Sequence, residues 1–172
     1  MELLRSKYTF EISPECFVSN CPQAGTHITI LHANKVPPHI GLLIDGYFFS
    51  LKAKGKDQKV PVEWLNYSIH QKQIPTIFVE INANQKVTLE QVQTHFLSLP
   101  NEIPNNTTCL TPLLFLLKAP DQIICVADLL LYLAESDQIK RHVGMHLPHS
   151  FSELPIYGEA EIHARIKDLK NV

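Results

Sequence analysis

The chain has 172 residues, of which 45% are hydrophobic and 19% are charged, and its 15 basic and 17 acidic residues give a formal net charge of −2. A chain of this length and composition buries one core at roughly two-thirds of its unfolded surface, so we expect a single globular domain over residues 1–172. The two signs of charge are mixed along the chain, which disfavours binding to nucleic acid or to an anionic membrane surface.

The sequence gives no signal for membrane insertion or export. The longest apolar runs, such as residues 113–117 and 129–133, are far shorter than the ~20 residues that span a bilayer. The first residues lack a basic region followed by an apolar run and a cleavage site, so we expect a cytoplasmic protein. In that compartment the four cysteines are expected to be core residues, ligands or nucleophiles and not disulfide partners.

Strands are predicted mainly in the first half of the chain. Residues 27–31 and 74–81 are β-branched runs that favour strands. Between them, Asp45 and Gly46 separate two apolar runs within residues 39–52, which is typical of a hairpin with a two-residue turn. In this register Gly41 faces Ser50, and the alternation puts His39 and Ser50 on one face. The other face is apolar and is expected to be the core side; it carries Ile40, Leu42, Ile44, Tyr47, Phe49 and Leu51.

Helices are predicted mainly in the second half of the chain. Thr88 and Gln91 have the spacing of a capping box at the start of a helix over residues 88–99. Further helical stretches are expected near residues 61–70, 112–118, 123–135 and 159–170. This segregation predicts an α+β fold, in which an antiparallel sheet with the 39–52 hairpin at its centre packs against helices from the second half.

Cys109 is the candidate nucleophile, because it shortly precedes a predicted helix. A thiol near a helix N-terminus feels the positive end of the helix dipole, and free backbone N–H groups there stabilise a thiolate and a developing oxyanion. His39 is the expected partner that accepts the thiol proton and later returns it to the leaving group. Ser50, diagonal to His39, is the expected third polar group, and the alternatives are Glu80, Asn106 or a dyad without a third member.

The order of His39 before Cys109, together with the segment His39-Ile-Gly-Leu-Leu-Ile-Asp-Gly-Tyr-Phe-Phe-Ser, resembles the circularly permuted papain-like thiol hydrolases, in particular the desumoylating-isopeptidase type. The lecithin-retinol-acyltransferase and bacterial cell-wall amidase types are more distantly similar. The resemblance covers about residues 27–118. It implies a permuted papain-like fold and a cysteine hydrolase that needs no cofactor and cleaves an amide, isopeptide or thioester bond in a peptide or protein-conjugate substrate.

A non-catalytic interaction or scaffolding domain of the same fold is the alternative. Thr108 stands where the family has asparagine before its cysteine, and the apolar Leu110 follows Cys109. A cysteine in an apolar segment is most often an inert buried thiol, and a histidine at a strand start is usually a structural residue.

Two groups of residues have the side-chain types of metal ligands. Cys16, Cys21, His27 and His32 follow the spacing C-x4-C-x5-H-x4-H, whose central gap is shorter than the ~12 residues of a zinc finger. The second group is expected to satisfy backbone carbonyls near a helix C-terminus, with metal binding as the alternative: His142, His146 and His149.

Overall fold

A computed structural model describes residues 7–82, 87–104 and 107–172, which form one six-stranded sheet and five α-helices. The strand order is β4-β3-β2-β1-β5-β6, and every neighbouring pair is antiparallel, so the fold is α+β as predicted. A short 3-10 helix at Pro14–Cys16 precedes these elements. In chain order the elements are β1 (Thr26–Leu31), β2 (His39–Ile44), β3 (Tyr47–Lys52), β4 (Gly55–Pro61), α1 (Val62–Lys72), β5 (Thr76–Ile81), α2 (Leu89–Ser98), α3 (Thr111–Leu116), α4 (Val126–Glu135), β6 (Ile139–Met145) and α5 (Glu159–Lys170).

The β2–β3 hairpin has the predicted register. Asp45 and Gly46 both have positive φ angles, 46° and 82°, which is the backbone that a two-residue type I′ turn requires. Ile44 therefore pairs with Tyr47, and Gly41 pairs with Ser50. The turn chemistry thus fixes which side chains of the two strands share a face.

One face of the sheet packs against α2, α3, α4 and α5. The predicted apolar residues of the hairpin lie on this face, and all of them are buried except Tyr47, which is partly exposed. Apolar side chains of the four helices cover them, because each helix directs one apolar stripe at the sheet. The helical contribution includes Val92, Phe96, Leu113, Leu129, Leu133 and Ile162.

The opposite face also carries a core, whereas the alternation predicted a core on one face. Helix α1 covers it with Leu65 and Ile69, which pack with Leu43, Phe48 and Phe78 of the sheet. Alternation along β2 and β3 is weak because apolar residues occur on both faces, as in strands that are buried on both sides. Leu43 and Phe48, on the face that carries His39 and Ser50, are therefore buried, whereas His39, at the start of β2, is partly exposed.

Strand β6 corrects the prediction for the three histidines near residue 145. They were expected at a helix C-terminus, but His142 lies within β6 and His146 and His149 follow it. His142 Nε2 lies 2.6 Å from the Tyr8 hydroxyl, and His146 Nε2 lies 3.0 Å from His70 Nδ1. His149 packs against the Phe17 ring, and in the described part of the chain none of the three histidines is hydrogen-bonded to a helix carbonyl.

Candidate functional site

A hydrogen-bonded chain of three side chains crosses three neighbouring strands. His39 begins β2, Ser50 lies on β3 and Asp57 lies on β4. His39 Nε2 is 3.0 Å from Ser50 Oγ, and Ser50 Oγ donates to Asp57 Oδ2 at 2.7 Å. Lys52 Nζ donates to the other carboxylate oxygen at 2.9 Å. The structure therefore brings His39 and Ser50 together and adds a carboxylate that the sequence did not predict.

The direction of these bonds sets the tautomer of His39. An ionised carboxylate can only accept, so the single hydroxyl proton of Ser50 points to Asp57. The Ser50 oxygen is then an acceptor for the ring, and Nε2 of His39 must carry the proton. In the neutral ring Nδ1 is consequently left with a lone pair, as a general base requires.

A β-bulge selects Asp57 for this position. Phe48 pairs with Val60, but Ser50 pairs with Asp57, so β4 has one residue more than β3 across this interval. Lys59 in that interval has a φ angle of 49°, the left-handed backbone that occurs in one kind of bulge. Without the extra residue, an uncharged glutamine would lie opposite Ser50. The bulge therefore places a carboxylate at the end of the chain.

The imidazole of His39 is uncharged at neutral pH. Burial lowers the pKa of His39 to about 4, because the charged ring would lose water. Asp57 opposes this decrease, whereas Lys52 and His32 add to it. The ring is thus present as a base over most of the pH range, and a carboxylate lies one hydroxyl away to stabilise the proton that it receives.

Cys109 lies in a turn directly before the N-cap residue of α3, Leu110. Its thiol is approached by the backbone N–H groups of Ile40 and of Cys109 itself, which lower the pKa of the thiol, but burial raises the pKa by more. The thiolate expected from the helix dipole is therefore not favoured, since α3 has only six residues and the surroundings are apolar. The N–H of Ile40 belongs to the peptide that follows His39, so the sulfur lies against the start of β2.

Both Cys109 and His39 line one cleft of about 690 Å³, which we call the Cys109 cleft. Tyr157 lines the same cleft, and its hydroxyl accepts a hydrogen bond from the Val126 N–H at 3.2 Å. Burial raises the pKa of Tyr157, and Cys109 adds to the increase, so the hydroxyl and the thiol lie within electrostatic range of each other. The volume of the cleft lies within the usual range of small-molecule binding sites.

One alternative third group for His39, Glu80, does not lie in this arrangement. Glu80, on β5, accepts from Lys140 Nζ at 3.0 Å and from Arg141 Nε at 2.5 Å, and it is not part of the cleft lining. The alternative Glu80 is therefore wrong, because two cations at the β5–β6 edge bind its carboxylate. The other alternative, Asn106, lies outside the described residues.

The four candidate zinc ligands near the N-terminus are not assembled. Cys21 is buried with its sulfur 4.0 Å from Met145 Sδ, and His27 packs edge-on against Phe78. His32 instead lines the Cys109 cleft. Within residues 7–82, 87–104 and 107–172, no three His, Cys, Asp or Glu side chains are grouped so that they could hold a metal ion.

Asp57 and Tyr157 are the members of the arrangement that the sequence analysis missed. Asp57 lies on β4, whose mostly polar sequence lacks the alternation of apolar and polar residues that predicts a strand. Gly55, shortly after β3, is a local signal for a turn that could have indicated a further strand. Tyr157 lies between β6 and α5 and reaches the cleft through packing that is distant in sequence, for which no local pattern exists.

No protein-family model matches the chain, and no curated protein and no solved structure is significantly similar to it. None of the helices in the described parts of the chain combines the length and the apolar character needed to cross a membrane.

Proposed function

We propose that this protein is a cysteine hydrolase that cleaves an amide, isopeptide or thioester bond, with Cys109 as nucleophile and His39 as general base. One observation supports the proposal: the hydrogen-bonded chain from Asp57 through Ser50 leaves an uncharged His39 with an Nδ1 lone pair, and His39 lines the same cleft as Cys109. A nucleophile, a base and a group that orients the base are the elements of covalent acyl transfer.

In the proposed reaction, the Cys109 sulfur attacks the substrate carbonyl carbon while Nδ1 of His39 accepts the thiol proton. The carbonyl π electrons move onto oxygen, and the backbone N–H groups of Ile40 and Cys109, which lower the pKa of the thiol, are the groups proposed to stabilise the negative charge. The C–N or C–S bond then breaks, and His39 gives its proton to the leaving group. Water hydrolyses the thioester by the same steps, and His39 again transfers the proton.

The resting pair is a neutral thiol and a neutral imidazole, because burial raises the pKa of Cys109 and lowers that of His39. Proton transfer therefore accompanies the attack and does not precede it. Asp57 stabilises the imidazolium through Ser50 when it forms, as a buried carboxylate does for other catalytic histidines. This role requires no cofactor.

Ser50 is a positioning residue in this proposal and not a second nucleophile. Its side chain is 0% exposed, and its hydroxyl proton is committed to Asp57. In a serine triad the imidazole lies between the serine and the carboxylate, whereas here the serine lies between His39 and Asp57. The order of the hydrogen bonds thus favours Cys109 as the attacking group.

The finer architecture is part of the proposal. A histidine at the start of a sheet strand, followed later in the chain by a cysteine beside a helix start, is the arrangement of the permuted papain-like hydrolases that the sequence resembles. The antiparallel sheet and the position of Cys109 before α3 agree with this comparison. A peptide or protein conjugate is the corresponding substrate class, and the open, mainly apolar cleft suits an extended side chain or acyl group.

Reaction with 4-nitrophenyl acetate tests the proposal. We expect a burst of one 4-nitrophenolate per chain and acetylation of Cys109, which peptide mass spectrometry localises. Cys109→Ala removes the burst, and His39→Gln slows it by about 10²-fold or more, the usual contribution of a general base. Cys16→Ala is the matched control, since Cys16 is also partly exposed and lies outside the cleft lining; it leaves the burst intact. Acetylation of Cys109 no faster than that of Cys16, or unaffected by His39→Gln, contradicts the proposal.

A non-catalytic interaction domain is the second candidate function. The observation that favours it is the raised pKa of the Cys109 thiol, which lies next to the buried Leu110. This candidate predicts no acetylation burst in the parent protein and undiminished partner binding in Cys109→Ala. A covalent substrate adduct on Cys109 of the parent protein excludes it.

A further inference from the structure

The charged residues that line the Cys109 cleft are all basic. They include Lys35, Lys52, Lys54 and Arg165, and the described residues of the lining contain no aspartate or glutamate. The rest of the lining is largely apolar, with Val36, Leu51, Ile103, Ile162 and Ile166 among its members. The chain as a whole has a net charge of −2, so this local excess of positive charge is a property of the cleft and not of the protein surface in general.

Two of these cations, Lys35 and Arg165, form no ion pair with the residues that the structure describes. Lys52 pairs with Asp57, and Lys54 Nζ donates to the backbone oxygen of Val172 at 2.5 Å. No carboxylate of the described residues lies within ion-pair distance of Lys35 or Arg165. Both residues are exposed and line the cleft.

The pKa of His32 indicates that Lys35 and Arg165 act on the same region of the cleft. His32 also lines the cleft, and Lys35 and Arg165 both contribute to lowering its pKa, after the larger effect of burial. The turn after β1 and the helix α5 therefore bring their charges to one side of the cleft. An apolar wall beside these charges concentrates the positive potential, because low-dielectric surroundings reduce its screening.

We propose that the Cys109 cleft binds an anionic substrate, in which a carboxylate or phosphate group next to an apolar segment contacts the side of the cleft formed by Lys35 and Arg165. The ligand is called a substrate because this inference rests on the proposed hydrolase function. The apolar segment packs on the aliphatic lining, and the anion lies at the cationic side. A neutral ligand of the same shape binds more weakly, since it leaves these charges unpaired.

Alkylation of Cys109 by iodoacetate and iodoacetamide tests the proposal, because the two reagents differ mainly in charge. The ratio of their rates at Cys109 is measured by peptide mass spectrometry in the folded protein and in the chain unfolded in urea. The folded protein is expected to show a ratio about 3- to 10-fold higher, the effect of one or two unit charges acting across a partly solvated cleft. The increase should diminish at high salt.

Arg165→Gln and Lys167→Gln form a matched pair, since both side chains are exposed on α5 but only Arg165 lines the cleft. Arg165→Gln lowers the iodoacetate preference by at least about twofold, while Lys167→Gln leaves it in place. Equal ratios in the folded and unfolded chains, or equal effects of the two variants, overturn the proposal. Fast alkylation of Cys109 without any preference for iodoacetate overturns this inference alone and leaves the proposed function standing.

Ligand binding to Cys109→Ala tests the inference without thiol chemistry. NMR titration with hexanoate, hexyl phosphate and hexanamide compares a carboxylate, a phosphate and a neutral group on the same apolar chain. At least one anion is expected to bind fivefold or more tightly than hexanamide, with amide shifts near Arg165, and the stronger anion identifies the group. Equal affinities of all three ligands, or no binding, overturn the proposal. Anion binding together with an absent acetylation burst in the parent protein supports the anion site and removes the hydrolase function.

Discussion

Replacing Ser50 by alanine removes the hydroxyl that joins His39 to Asp57. The hydroxyl is fully buried and takes part in two hydrogen bonds, of 3.0 and 2.7 Å. A neutral hydrogen bond contributes about 1 kcal/mol to stability and one to a charged group about 1.5–3 kcal/mol. The Asp57 side chain is 25% exposed and keeps its bond to Lys52, so water can replace part of the loss. We expect Ser50→Ala to lower the free energy of unfolding by about 2–3 kcal/mol.

Thr29→Val is the matched control for this change. Thr29 lies on β1 of the same sheet, its side chain is also 0% exposed, and its hydroxyl has no hydrogen-bond partner among the described residues. Valine has nearly the same shape without the hydroxyl, so the variant removes a buried polar group that gains nothing from the protein. We expect no loss of stability, or a gain of up to about 1 kcal/mol.

Urea denaturation followed by circular dichroism measures both variants. The expected outcome is a large decrease of the transition midpoint for Ser50→Ala and none for Thr29→Val. Acetylation of Cys109 in Ser50→Ala should also be slower by about tenfold or more, because the imidazole loses the acceptor that holds its orientation. Similar midpoints for the two variants would show that the hydrogen bonds through Ser50 do not contribute to stability. Ser50 and Asp57 would then not hold His39 in the orientation of a base.

Three further variants test the surroundings of the site. Gly41→Ala places a Cβ about 2.4 Å from the Phe48 ring, so we expect the free energy of unfolding, measured by urea denaturation, to decrease by about 1–3 kcal/mol. Acetylation of Cys109 should also be slower, and a variant that is as stable and as reactive as the parent contradicts this. Burial lowers the pKa of His27 from 6.5 in the unfolded chain to about 4 in the folded protein. Between pH 6.5 and pH 4 the unfolded chain therefore binds more protons than the folded protein, and the free energy of unfolding decreases as the pH falls through this range. His27→Leu should reduce this loss by up to about 3 kcal/mol, measured by unfolding at pH 7 and at pH 4, and an unchanged pH dependence refutes it. Thr88→Ala removes the capping box of α2 and should cost about 1 kcal/mol in urea denaturation with no effect on acetylation; slower acetylation would show that α2 positions the site.

The elements that the sequence predicted well are those with strong local signals. The Asp45–Gly46 turn, the capping box at Thr88 and the last helix, α5, all appear in the structure, and α5 spans the predicted residues 159–170. The strands that were missed have no such signal. β4 is a polar edge strand, which avoids the apolar alternation that marks half-buried strands, and charged edges of this kind limit pairing with other chains.

β6 was missed for a different reason. Ile139 is followed by three polar residues, Lys140 to His142, and the last three residues are buried, so neither a period of two nor a helical period is apparent in residues 139–145. It becomes a strand because β5 pairs with it along its whole length, including the pairs of Ile77 with Gly144 and Thr76 with Met145. Tertiary pairing overrides local preference here, as it often does for strands.

Half of the candidate site was accessible from the sequence. The hairpin register alone placed Ser50 next to His39, because turn chemistry and strand alternation are local rules. Asp57 depends on a bulge in a strand that was not predicted, and Tyr157 depends on the packing of the chain between β6 and α5. The raised pKa of the Cys109 thiol could not be predicted from the sequence either, since it depends on burial against β2 and not on the short helix that follows.

The pH dependence of Cys109 acetylation shows whether neutral His39 is the base, when it is measured in the parent protein and in His39→Gln from about pH 3.5 to pH 8. If neutral His39 is the base, the rate in the parent rises with a midpoint near pH 4, where burial places the pKa of His39, and then levels off below the pKa of the thiol. This step is absent in His39→Gln. A rate that follows thiolate formation across the whole range, and is the same in both proteins, would contradict the account.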